Sequence, residues 1–165
     1  MVDGPNPPSD NTASGDNTGE TIKVSVESDP RYLESLRVII TEATGILGLD
    51  EEVNHQIVLA VTEACANVIR HCYGGSPAER FDVTLRFGDE TFEVRIDDYG
   101  EFVDPTCMKG RELEDVKPGG LGLHFINSVM DHVEYRENEA GGTTLTMVKR
   151  IERAASGGGA LFVEE

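Results

Sequence analysis

The sequence predicts an α+β fold, a two-layer sandwich in which a mixed, mostly antiparallel sheet carries its helices on one face. Runs of alternating apolar and polar residues come in pairs joined by turn residues, which makes the strands hairpins. Two stretches of helical period stand together before the first hairpin, and a third stands between the hairpins. The order is therefore β-α-α-β-β-α-β-β, with a long lid-like stretch ahead of the third helix. There is no internal repeat, and 165 residues suit one compact domain.

Residues 1–20 are rich in Gly, Pro, Ser, Asn and Asp and contain no Lys or Arg. Such a segment buries too little apolar surface to offset chain entropy, so it reads as a disordered acidic tail. The ordered domain is expected over residues 21–151. TIKVSVES alternates, with Ile22, Val24 and Val26 on one side, as a half-buried strand does. Asp29-Pro30 reads as a helix start, an N-cap followed by a proline at the first helical position. Leu33, Leu36, Val38, Ile39 and Ile40 follow at roughly helical spacing. Asp50 is expected to cap a second helix over residues 51–73, whose first turn carries Glu51 and Glu52 as the helix dipole prefers. Ile57, Ala60, Val61, Ala64, Cys65 and Val68 form its apolar sector, and Gly74-Gly75-Ser76-Pro77 ends it. FDVTLRF and TFEVRIDD predict the first hairpin, turning through Gly88-Asp89-Glu90. LGLHFINSVMDHV has the period of a short helix, and VEYRE and TTLTMVKR predict the closing hairpin. The tail over residues 152–165 is expected to be mobile.

An apolar content of 38% and a charged content of 27% fit a globular core, and the lack of Trp predicts one built from Val, Ile and Leu. The formal net charge of −17 argues against direct nucleic-acid binding and against docking on anionic membranes. It does not exclude ATP, which brings Mg²⁺ with it and is held by backbone N–H groups. Cys65, Cys72 and Cys107 offer neither metal-ligand spacing nor a disulfide framework, as in a reducing compartment. The N-terminus lacks the basic and apolar regions of a signal peptide, and no apolar run approaches the ~20 residues that cross a bilayer. The expected location is the cytoplasm.

Three stretches carry chemistry. EACANVIRHCY sets Glu63, Asn67 and His71 four apart, a polar line on the rim of the second helix's apolar sector. The line suits either a solvated helix edge or a site, in which the carboxylate aligns a hydroxyl or water and the Asn carbonyl ligates Mg²⁺. RIDDYGEFVDP ends a strand with Asp97 and Asp98 at a turn through Gly100. These acids are either turn formers or, for Asp98, an acceptor for the exocyclic amine of adenine. KPGGLGLHFI opens a helix directly from glycines, which lets a phosphate approach free backbone N–H groups. It is neither a Walker A loop nor a Rossmann fingerprint.

In this order the three stretches resemble the N, G1 and G2 boxes of the GHKL ATPase superfamily, whose members share the Bergerat ATP-binding fold. GGTTLTMVKR is similar to that fold's closing strands. Within the superfamily the chain looks like the anti-sigma-factor serine/threonine kinases, with an N box spelled E-A-x-x-N-x-x-x-H-x-Y and a short G1 box, D-x-G-x-x-x-D-P. The longer G1 form, D-x-G-x-G, is absent because Phe102 stands at its second glycine.

The resemblance implies ATP and Mg²⁺ as cofactors. It makes Glu63 the catalytic carboxylate, Asn67 the Mg²⁺ ligand, and Asp98 the adenine-reading acid with Gly100 shaping its turn. Gly120, Leu121, Gly122 and Leu123 would line the phosphate end, and Thr143 or Thr144 would stand near the adenine. His71 is open between a site role and a structural tie from helix to sheet. Lys109, Arg111 and Lys117 of the lid-like stretch are candidates to reach a phosphate. The implied partners are an anti-anti-sigma (antagonist) protein, phosphorylated on a serine, and a sigma factor. A homodimer through the first strand and first helix is also implied. The alternative is a nucleotide-gated binding regulator without productive phosphotransfer. A sensor-kinase catalytic half is disfavoured, because the first 20 residues cannot form a dimerisation helix.

Overall fold

The computed structural model describes residues 19–102 and 119–151. Five strands form one sheet in the order β1-β2-β3-β5-β4, with β1 Glu20–Glu27, β2 Arg80–Phe87, β3 Thr91–Asp98, β4 His132–Glu137 and β5 Thr143–Arg150. Every pairing is antiparallel, so the expectation of a mixed sheet is corrected in detail while the α+β class stands. The hairpins explain this, since each joins neighbours through a short turn and β5 returns beside β3. The helices are α1 (Leu33–Gly45), α2 (Glu51–Asn67) and α3 (Gly119–Val129).

Alternation along the strands separates two faces. Phe81, Val83 and Leu85 of β2, Phe92, Val94 and Ile96 of β3, and Leu145 and Met147 of β5 are buried on one of them. Leu36 and Ile40 of α1, Ile57, Val61 and Ala64 of α2, and Ile126 of α3 complete the core. The aliphatic core that the composition predicts thus gains two fully buried phenylalanines and a methionine. The opposite face is polar and laced with ion pairs, among them Lys23–Asp82 at 3.0 Å, Arg86–Glu93 at 3.3 Å and Arg95–Asp97 at 2.8 Å. The same alternation places Asp98 with Ile96 on the core face and Asp97 with Arg95 on the polar one.

Two helix starts differ from the sequence expectation. Asp29 does cap, accepting from the Arg31 N–H at 2.9 Å, but it caps a single 3₁₀ turn over Pro30–Tyr32 ahead of α1. Asp50 makes no side-chain cap bond at α2; its carbonyl accepts the Asn54 N–H at 2.9 Å instead. The lid-like stretch, with Lys109, Arg111 and Lys117, and both tails lie outside the described residues.

At the turn from α3 into β4, the Asp131 carboxylate accepts the Arg150 N–H at 2.7 Å and faces the Lys149 ammonium at 3.5 Å. The backbone hydrogen bond and the ammonium hold its carboxyl below the ordinary aspartate range. A carboxylate depressed on folding contributes stability that is present at neutral pH and lost as pH falls through its folded value. Asp131→Asn should therefore be less stable than wild type at pH 7, with the difference shrinking below about pH 4. Urea denaturation at the two pH values checks this.

Candidate functional site

The second helix carries the first group of site residues, and its geometry changes partway along. From Val68 to Cys72 the winding is π-type, with the Tyr73 N–H donating to the Val68 carbonyl at 3.3 Å. Wider turns of this kind are frequent at functional sites. Upstream of the change, Glu63 and Asn67 sit one turn apart, half-buried. Asn67 Oδ1 is shut away from solvent and has no hydrogen-bond partner among the described residues, a costly state for a buried polar atom. Past the change the phase of the helix shifts, and His71 is exposed rather than continuing the line. It makes no hydrogen bond among the described residues, so it does not tie the helix to the sheet.

Glu63 faces two neighbours. The Arg70 guanidinium lies 3.3 Å from both its carboxylate oxygens. On the other side is the first turn of α3, where a Cβ added to Gly122 would come within 2.4 Å of Glu63 Oε1. Gly122 is therefore the residue that lets α3 begin against the carboxylate. Gly120 lies in the same turn, Leu123 is half-buried, and Leu121 is 64% exposed. Of these four, Gly122 is the one placed against Glu63 among the described side chains.

Asp98 is the most enclosed acid of the site, at 2% exposure. Its Oδ1 accepts the Gly100 N–H at 3.1 Å and the Thr143 N–H at 3.2 Å, and its own carbonyl accepts Asn138 Nδ2 at 2.7 Å. Asn138 Oδ1 in turn receives the Gly142 N–H at 3.0 Å, so one side chain pins the β4–β5 turn to the end of β3. The fit leaves no room at Gly142, where a Cβ would stand 2.2 Å from the Asp98 carbonyl oxygen. Thr143 is thus beside Asp98, on the core face. Thr144 is on the other face, donating to Asp97 Oδ1 at 2.6 Å.

The extension of α2 reaches this acid. Cys72 lies beside Asp98, and burial together with that carboxylate pushes its thiol up to about 12, so it stays neutral. The Cys72 carbonyl would lie 3.0 Å from a Cβ on Gly100. One helix with its π extension therefore links a Glu63–Asn67–Gly122 group to an Asp98–Gly100–Thr143 group. A cavity of about 850 Å³ between α1 and α2 shares no residue with either group. Its lining includes Glu42, Glu51, Val58, Leu59 and Asn54, whose Oδ1, like that of Asn67, is buried without a hydrogen-bond partner among the described residues; it lacks an enclosed acid like Asp98.

Residues 26–149 match the model of the histidine kinase-like ATPase domain. The chain belongs to that family. Its curated relatives include the serine-protein kinases RsbW of Halalkalibacterium halodurans, 30% identical over 81% of this chain and 85% of the relative, and of Bacillus pumilus, 28% identical over 82% and 89%. The RsbW of Bacillus subtilis is 25% identical over 82% of this chain and 88% of its own. These relatives bear out the resemblance to the anti-sigma-factor kinases. The crystal structure of the RsbU and RsbW domains of Rv1364c from Mycobacterium tuberculosis shares the fold, with a TM-score of 0.57 at 19% identity. The match covers 81% of this chain and 33% of that longer one.

Arg70, Cys72, Tyr73 and Asn138 belong to the site's framework, and sequence reasoning gave none of them a role. Tyr73 alone had a signal, as the last letter of the N-box pattern. The histidine kinase-like domain is expected to depend on the Gly142 contact. Gly142→Ala should cost about 1–3 kcal/mol by overpacking against the Asp98 carbonyl, read as a lower urea midpoint with an unchanged m-value.

Proposed function

We propose that the protein is an ATP-dependent serine/threonine protein kinase acting as an anti-sigma regulator in a partner-switching system. Its substrate is a serine of an anti-anti-sigma protein. The observation that carries the reading is the unpartnered Asn67 Oδ1, one turn from the Glu63 carboxylate. A buried carbonyl oxygen without a donor is a hard ligand suited to a cation, and Mg²⁺ takes few protein oxygens, completing its shell with waters and phosphate oxygens. When bound, Mg²⁺ supplies neutralisation of phosphate charge.

The chain's own residues do the rest. Asp98 Oδ1 is taken by two backbone N–H groups, which leaves Oδ2 to accept the exocyclic amine of adenine. Gly100 and Thr143 hold that carboxylate in place. The first turn of α3, through Gly120, Leu121, Gly122 and Leu123, offers N–H groups to phosphate. Glu63 accepts the proton of the incoming serine hydroxyl as its oxygen attacks the γ-phosphorus, and ADP departs with the bridging oxygen. Positioning of this kind supplies most of the catalysis in phosphoryl transfer.

The Arg70–Glu63 ion pair supports a second reading, a nucleotide-gated binding regulator in which Glu63 is engaged and no phosphotransfer follows. A homodimer through β1 and α1 fits the edge position of β1 and the exposed Ile22, Tyr32 and Ile39. No helix among the described residues is long and apolar enough to cross a membrane, and the cytoplasm is the proposed location.

Two variants separate these readings. Asn67→Ala should abolish Mg²⁺-dependent ATP binding by calorimetry under either reading. Glu63→Ala should keep ATP binding and, under the kinase reading, lose about 10²–10⁴-fold in phosphorylation rate. A Glu63→Ala protein that phosphorylates the antagonist at the wild-type rate removes Glu63 from its role.

A further inference from the structure

The last residue of the N-box pattern, Tyr73, does something its neighbours in the pattern do not. Its hydroxyl accepts the Tyr99 N–H at 2.8 Å and donates to the Arg80 carbonyl. The first belongs to the residue just past β3 and the second to the first residue of β2, and the last paired residues of these two strands are Phe81 and Asp98. Arg80 and Tyr99 are the next pair along the ladder. Arg80 still pairs with Glu27 of β1 on its other side, so β2 itself has not ended there. The hydroxyl thus stands where a direct β2–β3 hydrogen bond would continue the sheet.

The consequences fall on the turn after Asp98. The Tyr73 ring lies 3.4 Å from the position of a Cβ on Gly100, and the Cys72 carbonyl lies 3.0 Å from it, so Gly100 turns directly onto the end of the π segment. From the far side of the sheet the Tyr99 hydroxyl donates to Asp82 Oδ2 at 2.9 Å, and Asp82 is held by Lys23 at 3.0 Å. Tyr99 is therefore fixed at its backbone by one tyrosine and at its ring by an aspartate. Burial pushes the Tyr73 hydroxyl up to about 12, which keeps its proton available for the Arg80 carbonyl throughout the physiological range.

We propose that Tyr73 is a positioning residue for nucleotide recognition: its hydroxyl acts as a wedge that ends the β2–β3 ladder at Asp98 and aims the Asp98–Gly100 turn at the end of α2. The inference rests on the nucleotide reading of Asp98 for its functional consequence, but the wedge itself is a property of the nucleotide-free chain. Removing the hydroxyl while keeping the ring lets the Tyr99 N–H and the Arg80 carbonyl approach each other or solvent, and Asp98 loses its fixed bearing.

Tyr73→Phe is the test, with Glu52→Gln, an exposed change in the first turn of α2 away from the site, as control. In nucleotide-free protein, hydrogen exchange at the Tyr99 amide should change by about fivefold or more in Tyr73→Phe alone. Calorimetry with ADP and Mg²⁺ should show affinity weakened about fivefold, and the KM for ATP should rise with kcat unchanged. Gly100→Ala, which presses on the Cys72 carbonyl and the same ring, should weaken ADP similarly and serves if Tyr73→Phe does not fold. Unchanged Tyr99 exchange in folded Tyr73→Phe overturns the wedge, as does wild-type ADP affinity in both variants. If wild type itself binds no ADP, the nucleotide reading fails separately, and the exchange measurement still decides the wedge.

Discussion

Everything distinctive about this domain is arranged around one buried carboxylate. Asp98 ends the central strand of the sheet, and the groups around it come from three places in the chain: Gly100 from its own turn, Asn138 and Thr143 from the closing hairpin, and Cys72 from the extension of α2. A carboxylate that is 2% exposed must have its charge answered by hydrogen bonds. Here backbone N–H groups answer it on one oxygen. That constraint fixes the β4–β5 turn against β3 and makes Gly142 obligatory at the contact.

The helix α2 depends on the same knot. Its apolar sector seats it on the sheet, with Ala60 and Ala64 both buried there. Its change to π winding then brings Cys72 and Tyr73 to the end of β3. A helix that continued in regular α winding would carry these two residues around in a different phase, while Glu63 and Asn67 would be unaffected. The two halves of the site are thus set independently: the carboxylate and amide by ordinary α-helical spacing, and the contact with Asp98 by the wider turn. Arg70 lies in the π segment and reaches back to Glu63, which couples the halves electrostatically. The pair is about half exposed on the Arg70 side, so its energetic weight is small and its effect is on the orientation of Glu63.

Much of the fold was legible because its signals are local. The alternation in FDVTLRF and TFEVRIDD predicts both strands of the first hairpin, and the same alternation, once the register is known, puts Asp98 inside and Asp97 outside. Glu63, Asn67 and Asp98 were legible as a pattern of residue types in order. Which of Thr143 and Thr144 shares a face with Asp98 was not, because it depends on which face of β5 turns toward the helices. Nothing in VIRHC announces π winding, so the sequence reading carried the polar line one step too far, to His71. The tie from helix to sheet falls to Tyr73, whose two partners, Arg80 and Tyr99, are distant in sequence and meet only through the sheet. Asp50 is a residue type that caps helices, yet its side chain makes no cap bond.

The central claim is that Asp98 reads an amino-substituted purine through its free oxygen. Binding of ADP and of inosine diphosphate to the wild-type protein, measured by calorimetry in Mg²⁺, tests it most directly. Inosine presents a carbonyl where adenine presents an amine, so the carboxylate would face an acceptor and lose its hydrogen bond. The account predicts that ADP binds at least about tenfold more tightly. Equal affinities for the two nucleotides would contradict it, since the buried carboxylate would then have no part in recognising the base.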